Sequence, residues 1–240
     1  SGWTGPMTAE EKAGDDLVVT GGSSGIGLAL VERLTGEGHR VTCIARRPCP
    51  VPGAGSIRCD LADAEAIERC LPALSGLPVP RGVIFCHGQG DFGALEQFSA
   101  GRIRRLVDLH VVATLLLCRH FLPSMKRLGR GTLVFLGSEA ALRGASRGAV
   151  YCATKFALRG AAQALREECG ASGVRVGIVN PGMVDTPFYD AQDFAPGDHA
   201  DNHLDAADVV DAILLMLGAP AGSVIDEINL SPLKKVIRRT

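Results

Sequence analysis

Tyr151 and Lys155 stand four residues apart in Tyr151-Cys152-Ala153-Thr154-Lys155. On a helix that spacing stacks two side chains on one face, one turn apart. An ammonium beside a phenol favours the phenolate, so the tyrosine pKa is expected to fall from about 10 toward neutrality. A phenol tuned in this way exchanges a proton with an alcohol or ketone oxygen at working pH. Ser138 follows an apolar run, one loop ahead of that helix. Its hydroxyl can hold a substrate oxygen beside the phenol, or it can stabilise the loop.

A second stretch suits a phosphate. Leu17-Val18-Val19-Thr20 reads as a buried parallel strand and feeds Gly21-Gly22-Ser23-Ser24-Gly25-Ile26-Gly27. An amphipathic helix follows, from Leu28 to about Glu37. Strand, glycine turn and helix let the backbone approach a pyrophosphate, while the helix start offers unpaired N–H groups. The spacing Gly-x-x-x-Gly-x-Gly is no Walker loop, because no Gly-Lys-Ser/Thr follows. The next strand, Arg40 to Ala45, ends in Arg46-Arg47 where NAD-binding folds place an acid on the ribose 2′-hydroxyl. Two guanidiniums there suit the 2′-phosphate of NADP(H), with NAD(H) the less favoured cofactor.

Further elements must position these groups. Arg58 to Leu61 reads as a third strand; Asp60 either meets an adenine amino group or starts the helix from Ala62 to Leu71. Gly82 to Gly88 is a fourth strand and its loop, Leu133 to Ser138 a fifth, and Val174 to Gly182 a sixth. Helical periodicity runs from Ile103 to Met125, from Tyr151 to residue 169, and from Ala206 to Leu217; a last strand lies near Val224–Leu230. Strands alternating with helices imply a parallel sheet with right-handed crossovers and ligands beyond the strands' carboxyl ends. The glycine turn, Gly88, Ser138 and Asn180 fall at such ends. The expected fold is therefore α/β, a single doubly wound Rossmann-type domain with helices on both faces of a central parallel sheet. It spans residues 15–240, with 1–14 set aside as a flexible tail.

Bulk properties agree. The chain has 240 residues with 30 glycines and a net charge of -1, which points away from nucleic acid and anionic membrane surfaces. No apolar run reaches the length of a membrane span, and the polar start lacks a signal-peptide plan. Eight cysteines without Cys-x-x-Cys spacing read as reduced thiols in a cytoplasmic protein. His199 and His203, near Asp198 and Asp201, have ligand-like spacing but sit in a polar stretch; they read as solvated loop, and no metal is expected. Lys234 to Arg239 reads as a solvated basic tail.

Together, Thr20–Gly27, Ser138, Tyr151-x-x-x-Lys155 and Asn180-Pro181-Gly182 with Thr186 resemble the short-chain dehydrogenase/reductases, in the family's order, from about Leu17 to about Leu233. The stretch from Gly137-Ser138-Glu139-Ala140-Ala141-Leu142 through Lys155-Phe156-Ala157-Leu158 is similar to bacterial NADP-dependent members acting on hydroxy acids or general carbonyls. The resemblance implies that Tyr151 is the general acid/base, that Lys155 binds the nicotinamide ribose and lowers the tyrosine pKa, and that Ser138 orients the carbonyl. It implies that Gly21, Ser23, Ser24 and Ile26 border the pyrophosphate and that Arg46 and Arg47 hold the 2′-phosphate. Asp60 and Leu61 would hold the adenine, and Pro181, Gly182, Val184 and Thr186 would flank the nicotinamide. The family is also usually oligomeric, which implies a homodimer or homotetramer through helices near 103–125 and 151–169.

Two departures stand out. Phe85-Cys86-His87-Gly88 replaces the family's Asn-Asn-Ala-Gly beside the cofactor. His110 occupies the place of an asparagine that supports the proton relay, so it joins the expected catalytic set. The resulting expectation is reversible NADP(H)-dependent hydride transfer between a secondary alcohol, a 3-hydroxy acid among them, and its ketone. The alternative is an NADP(H)-binding sensor or scaffold with little turnover, for which the two histidines are the motive. A sugar-nucleotide epimerase would need an extra substrate domain that this chain lacks.

Overall fold

The computed structural model describes residues 14–220 and 222–239; the expected tail, apart from Gly14, lies outside them. Alternating short apolar runs and amphipathic stretches fold as β1 (Asp16–Thr20), α1 (Gly25–Gly36), β2 (Arg40–Ala45), β3 (Gly55–Arg58), α2 (Ala64–Ser75) and β4 (Gly82–Phe85). Then come α3 (Ala100–Val107), α4 (Ala113–Leu128), β5 (Gly131–Leu136), α5 (Ala149–Cys169), β6 (Val174–Pro181), β7 (Phe194–Pro196), α6 (Ala206–Leu217), β8 (Glu227–Leu230) and β9 (Ile237–Arg239). Seven strands form one sheet in the order β3-β2-β1-β4-β5-β6-β8, every pair parallel. The chain first builds outward from β1 to β3, then returns to β4 and builds the other way. The order reverses between β1 and β4, and the crevice at their carboxyl ends is where such sheets bind ligands.

Side chains alternate across the sheet, as the strand period requires. Val18, Val83, Phe85, Leu133, Phe135, Val176 and Ile178 pack under α2, α4 and α5. Leu17, Val19, Ile84, Val134 and Val179 pack under α1 and α6. Both faces are covered, which is why the strands read as nearly continuous apolar runs. Asp63 starts α2 by accepting from the N–H groups of Glu65 and Ala66, and α6 opens with a reciprocal Asp205–Asp208 capping box. Gly129, at φ 64°, ends α4 in the left-handed conformation that glycine adopts without strain.

Four expectations need correction. β3 is Gly55–Arg58, paired with Thr42–Ala45, and not Arg58–Leu61. Cys59 and Leu61 are buried because they pack in the same core as Ile67 of α2. Asp60 is not the cap of α2; its carboxylate accepts from Ala62 N at 3.0 Å and lies 3.7 Å from Arg105. The helix expected from Ile103 runs on as 29 residues, Ala100–Leu128, long and apolar enough to cross a membrane by length and composition. Its buried residues Ala113, Leu117, Phe121 and Met125 pack on the sheet. Finally, the basic tail is solvent-exposed as expected but carries a strand: Ile237–Arg239 pairs antiparallel with Phe194–Pro196.

The α3–α4 helix is interrupted by a π turn at Asp108–Val112, where Ala113 N donates to Asp108 O five residues back. Such wide turns push one residue out of the regular helical phase, and the displaced segment carries His110.

Phe135 is fully buried and meets Phe85 edge-on at 5.1 Å, at the centre of the layer under α4 and α5. Phe135→Ala should lower unfolding stability by about 3–5 kcal/mol, read as a lower urea midpoint with an unchanged slope.

Candidate active site

A cleft of about 530 Å³ opens at the carboxyl ends of the strands, over the β1–β4 crevice. The glycine turn forms one wall. Gly21 has φ +70°, and a Cβ there would lie 2.7 Å from the His87 Cα. A Cβ on Gly27 would overlap the Gly21 carbonyl oxygen. Only glycine permits this close packing of turn, helix start and neighbouring strand. Ser24 precedes α1 without a side-chain cap, and the first turn holds no acid. The N-terminal N–H groups of α1 therefore face the cleft with the positive end of the helix dipole.

Every residue expected at the cofactor site lines this one cleft: Gly21, Ser23, Ser24 and Ile26 at the turn; Arg46 and Arg47 after β2; Asp60 and Leu61 after β3; Cys86, His87 and Gly88 after β4; and Pro181, at the end of β6, with Gly182, Val184 and Thr186 beyond it. Ser138, Tyr151 and Lys155 complete it from β5 and α5. Arg46 and Arg47 are exposed and have no carboxylate within 4.0 Å among the described residues. Sequence reasoning missed Gln89, Arg105 and Gln192, which also line the cleft; loop and helix-surface polar residues carry no periodic signal. Asn180 was expected at the cleft but is fully buried beneath it. Its amide donates to Glu227 at 2.7 Å and to Asn229 at 2.9 Å, and Arg159 closes the same network on Glu227. Its Oδ1 presses on Gly137, the residue before Ser138.

The Tyr151–Lys155 pair is close, with the Lys155 Nζ 5.6 Å from the phenol ring centroid, but its electrostatics invert the expectation. Tyr151 is seated among Phe92, Phe188 and Leu106. Burial pushes its phenol well above the ordinary value, and a hydrogen bond from Ser138 only partly opposes this. Burial likewise pushes the Lys155 ammonium down to about 8. Lys155 Nζ donates to Leu136 O at 3.0 Å. Helix spacing brings the two groups together but says nothing of how dry their surroundings are.

His110 does not line the cleft. It is 1% exposed and lies behind the wall. Its Nε2 accepts from Gln89 N at 3.1 Å, so its Nδ1 carries the proton and donates to Thr154 Oγ1 at 2.8 Å. Thr154 in turn donates to the carbonyl of Tyr151 at 2.8 Å. Both ring nitrogens are thus engaged, so His110 braces α5 from behind the cleft wall. His87 is bound the same way, 2.6 Å from Thr20 Oγ1 and 3.3 Å from Thr114 Oγ1. Thr114 donates to His110 O, so the His87 Nε2 carries the proton toward Thr114 and its Nδ1 accepts from Thr20. Burial, reinforced by Lys155, depresses His87 to about 3 and His110 well below its ordinary range. Both rings are neutral at neutral pH. Among the described residues no group of His, Cys, Asp and Glu is placed to hold a metal ion; His203 Nδ1 instead meets Gly197 O at 3.1 Å.

The family model described as short chain dehydrogenase matches residues 16–194, about three quarters of the chain. The chain belongs to that family. Mycobacterium tuberculosis 3-oxoacyl-[acyl-carrier-protein] reductase MabA is 28% identical over 178 residues, covering 74% of this chain and 72% of that protein. Rat estradiol 17-beta-dehydrogenase 1 is 29% identical over 199 residues, covering 75% of this chain and 57% of the relative. A solved short chain dehydrogenase/reductase family protein superposes with a TM-score of 0.82 at 25% identity, covering 92% of this chain and 97% of that one. A 4-hydroxyisoleucine dehydrogenase complexed with NADH gives 0.81 at 19% identity, covering 91% and 97%, a likeness of fold. This short-chain dehydrogenase is an oxidoreductase acting on CH–OH groups, with a Rossmann-like nucleotide-binding sheet.

Between pH 6.5 and 3 the unfolded chain binds a proton at His87 that the folded chain refuses. The stability this group contributes is therefore full above pH 6.5 and falls through that window by up to about 1.4 kcal/mol per pH unit. Thermal melting should drop between pH 7 and pH 5, and His87→Gln should flatten that drop; an identical pH dependence in the variant would reject the neutral assignment. Gly137→Ala would drive a methyl group into Asn180 Oδ1 and Ile178 and shift Ser138. Turnover should fall by about a hundredfold, measured as kcat, while the protein remains folded by circular dichroism.

Proposed function

We propose that this protein catalyses reversible NADP(H)-dependent hydride transfer between a secondary alcohol, 3-hydroxy acids among them, and its ketone. The observation that carries the reading is that one cleft gathers the glycine turn, the unpaired Arg46–Arg47 pair, Ser138, Tyr151 and Lys155. The cleft suits a dinucleotide on structural grounds: its turn has no room for side chains, and its helix start is uncapped. Gly21, Ser23, Ser24 and Ile26 would hold the pyrophosphate, and Arg46 and Arg47 a 2′-phosphate. Asp60 and Leu61 would face the adenine. Lys155 would hold the nicotinamide ribose, with Cys86, His87, Gly88, Pro181, Gly182, Val184 and Thr186 around the nicotinamide. When bound, the cofactor supplies or accepts the hydride.

The protein's part is orientation and proton handling. Ser138 fixes the substrate oxygen beside the phenol, which gives it a proton during reduction and removes one during oxidation. With the phenol held above its usual range it is protonated at neutral pH, the form that serves ketone reduction. The eight free cysteines support a reducing, cytoplasmic setting. Leu115 on α4 and Phe156 on α5 are exposed large apolar residues, which supports assembly into a homodimer or homotetramer through those helices.

Reduction of a ketone panel should proceed with NADPH, and Tyr151→Phe should lower kcat by at least about a hundredfold; substantial activity in that variant rejects the proton-transfer role. Replacing Arg46 and Arg47 together with alanine should shrink the preference for NADPH over NADH by about tenfold or more. An unchanged ratio rejects the 2′-phosphate assignment.

A further inference from the structure

A second cavity, of about 400 Å³, opens on the other side of Ser138 and Tyr151. Its inner wall is aromatic. Phe92 lies tilted against Tyr151 at 4.9 Å and meets Phe194 at 5.0 Å, and Phe188 and Tyr189 continue the wall. Its outer rim is cationic, with Arg143, Arg147, Lys235 and Arg239 against two carboxylates, Glu139 and Asp193. Both carboxylates are engaged: Glu139 by Lys235 and Arg143, and Asp193 by Arg147 at 2.8 Å. Arg239 has no carboxylate within 4.0 Å among the described residues, although its charge reaches Asp193 and helps, after Arg147, to hold that carboxyl below its ordinary range.

The C-terminal strand explains how Arg239 reaches this rim. In the antiparallel pair, Arg239 lies directly opposite Phe194, and Ile237 opposite Pro196. Directly opposed residues share a face, and alternate residues of one strand share it too. Ile237, Arg239 and Phe194 therefore all line the cavity, while Arg238 turns outward to Asp198 at 3.3 Å. The strand is held down by Lys235 on Glu139, by Lys234 N on Asp201 O at 2.8 Å and by Gly197 N on Val236 O at 3.0 Å. Arg147 is the sole non-glycine residue with positive φ, 61°, among the described residues, and its carbonyl accepts from Gly93 N at 2.8 Å. Backbone strain of that kind is retained where surroundings hold a side chain in a required direction.

We propose that the substrate is an apolar, ring-bearing ketone or alcohol that ends in an anionic group, carboxylate or phosphate, and that Arg239 is the specificity-determining anchor for that group. The reacting carbon sits against Ser138 and Tyr151, the body against the aromatic wall, and the anion at the rim where four cations face two carboxylates. This rests on the reductase reading and names the substrate class of the same site.

The test uses three ketones of matched size: 3-benzoylpropanoate, its phosphonate counterpart, and the neutral 3-benzoylpropanamide. NADPH oxidation by the wild-type protein should show kcat/KM at least about tenfold higher for an anion than for the amide, the size of one charge-assisted contact. The larger of the two anion values identifies the terminal group. Arg239→Gln should bring the anion-to-amide ratio within about twofold of unity, through the KM of the anion, and Arg239→Lys should largely restore it. A wild-type ratio near unity, or a ratio unmoved in Arg239→Gln, overturns the proposal and leaves the reductase reading standing. If no ketone is reduced, the reductase reading falls, and calorimetric binding decides the inference separately. Tighter binding of 3-benzoylpropanoate than of the amide, lost in Arg239→Gln, supports it; equal or no binding overturns it.

Discussion

The site depends on a buried chain of hydrogen bonds in which two neutral imidazoles join three elements of the fold. Thr20 at the end of β1 meets His87, His87 meets Thr114 on α4, Thr114 meets the carbonyl of His110, and His110 meets Thr154 on α5. The chain ends on the carbonyl of Tyr151 itself. Each nitrogen and hydroxyl has a partner, so burial carries no unpaired polar group at these positions. A protonated His110 would present a second N–H to Gln89 N, which is already a donor, whereas the Thr20 hydroxyl beside His87 also reaches Ile84 O at 3.4 Å. The two residues that depart from the family pattern are therefore partners in one bracing structure, and the intact Ser138, Tyr151 and Lys155 stand in front of it.

Much of this was legible from residue order. Parallel strands, crossovers and the gathering of strand ends follow from alternating apolar runs and amphipathic stretches, because both sheet faces must be covered. The glycine turn and the Arg46–Arg47 pair declare themselves through backbone freedom and the missing acid. What resisted reading was non-local. Cys59 and Leu61 look like a strand because they are apolar, yet their burial comes from packing beside α2, and the hydrogen-bonded ladder stops at Arg58. Asn180 looks like a cleft residue by position, but tertiary packing turns its amide onto Glu227 and Asn229. The sign of the Tyr151 shift needed the aromatic seat formed with Phe92 and Phe188, residues about 60 and 40 positions away.

The C-terminal strand shows the same limit most clearly. Lys234 to Arg239 has the composition of a solvated tail, and nothing local distinguishes it from one. Its partner, Phe194–Pro196, is a three-residue strand inside a polar stretch. Only their pairing, reinforced by Lys235 on Glu139 and Arg238 on Asp198, converts two unpromising segments into a wall. The glycine-turn cleft is thus encoded in local motifs, and the aromatic cavity beside it in long-range contacts between loops.

That division sets an order on biogenesis. Every group lining the dinucleotide cleft has been synthesised by Gln192, whereas the aromatic cavity waits for residues 232–239. A growing chain therefore acquires the groups of the glycine-turn cleft before those of the aromatic cavity. Early ligand capture would add binding energy to the sheet while its far edge is still being made.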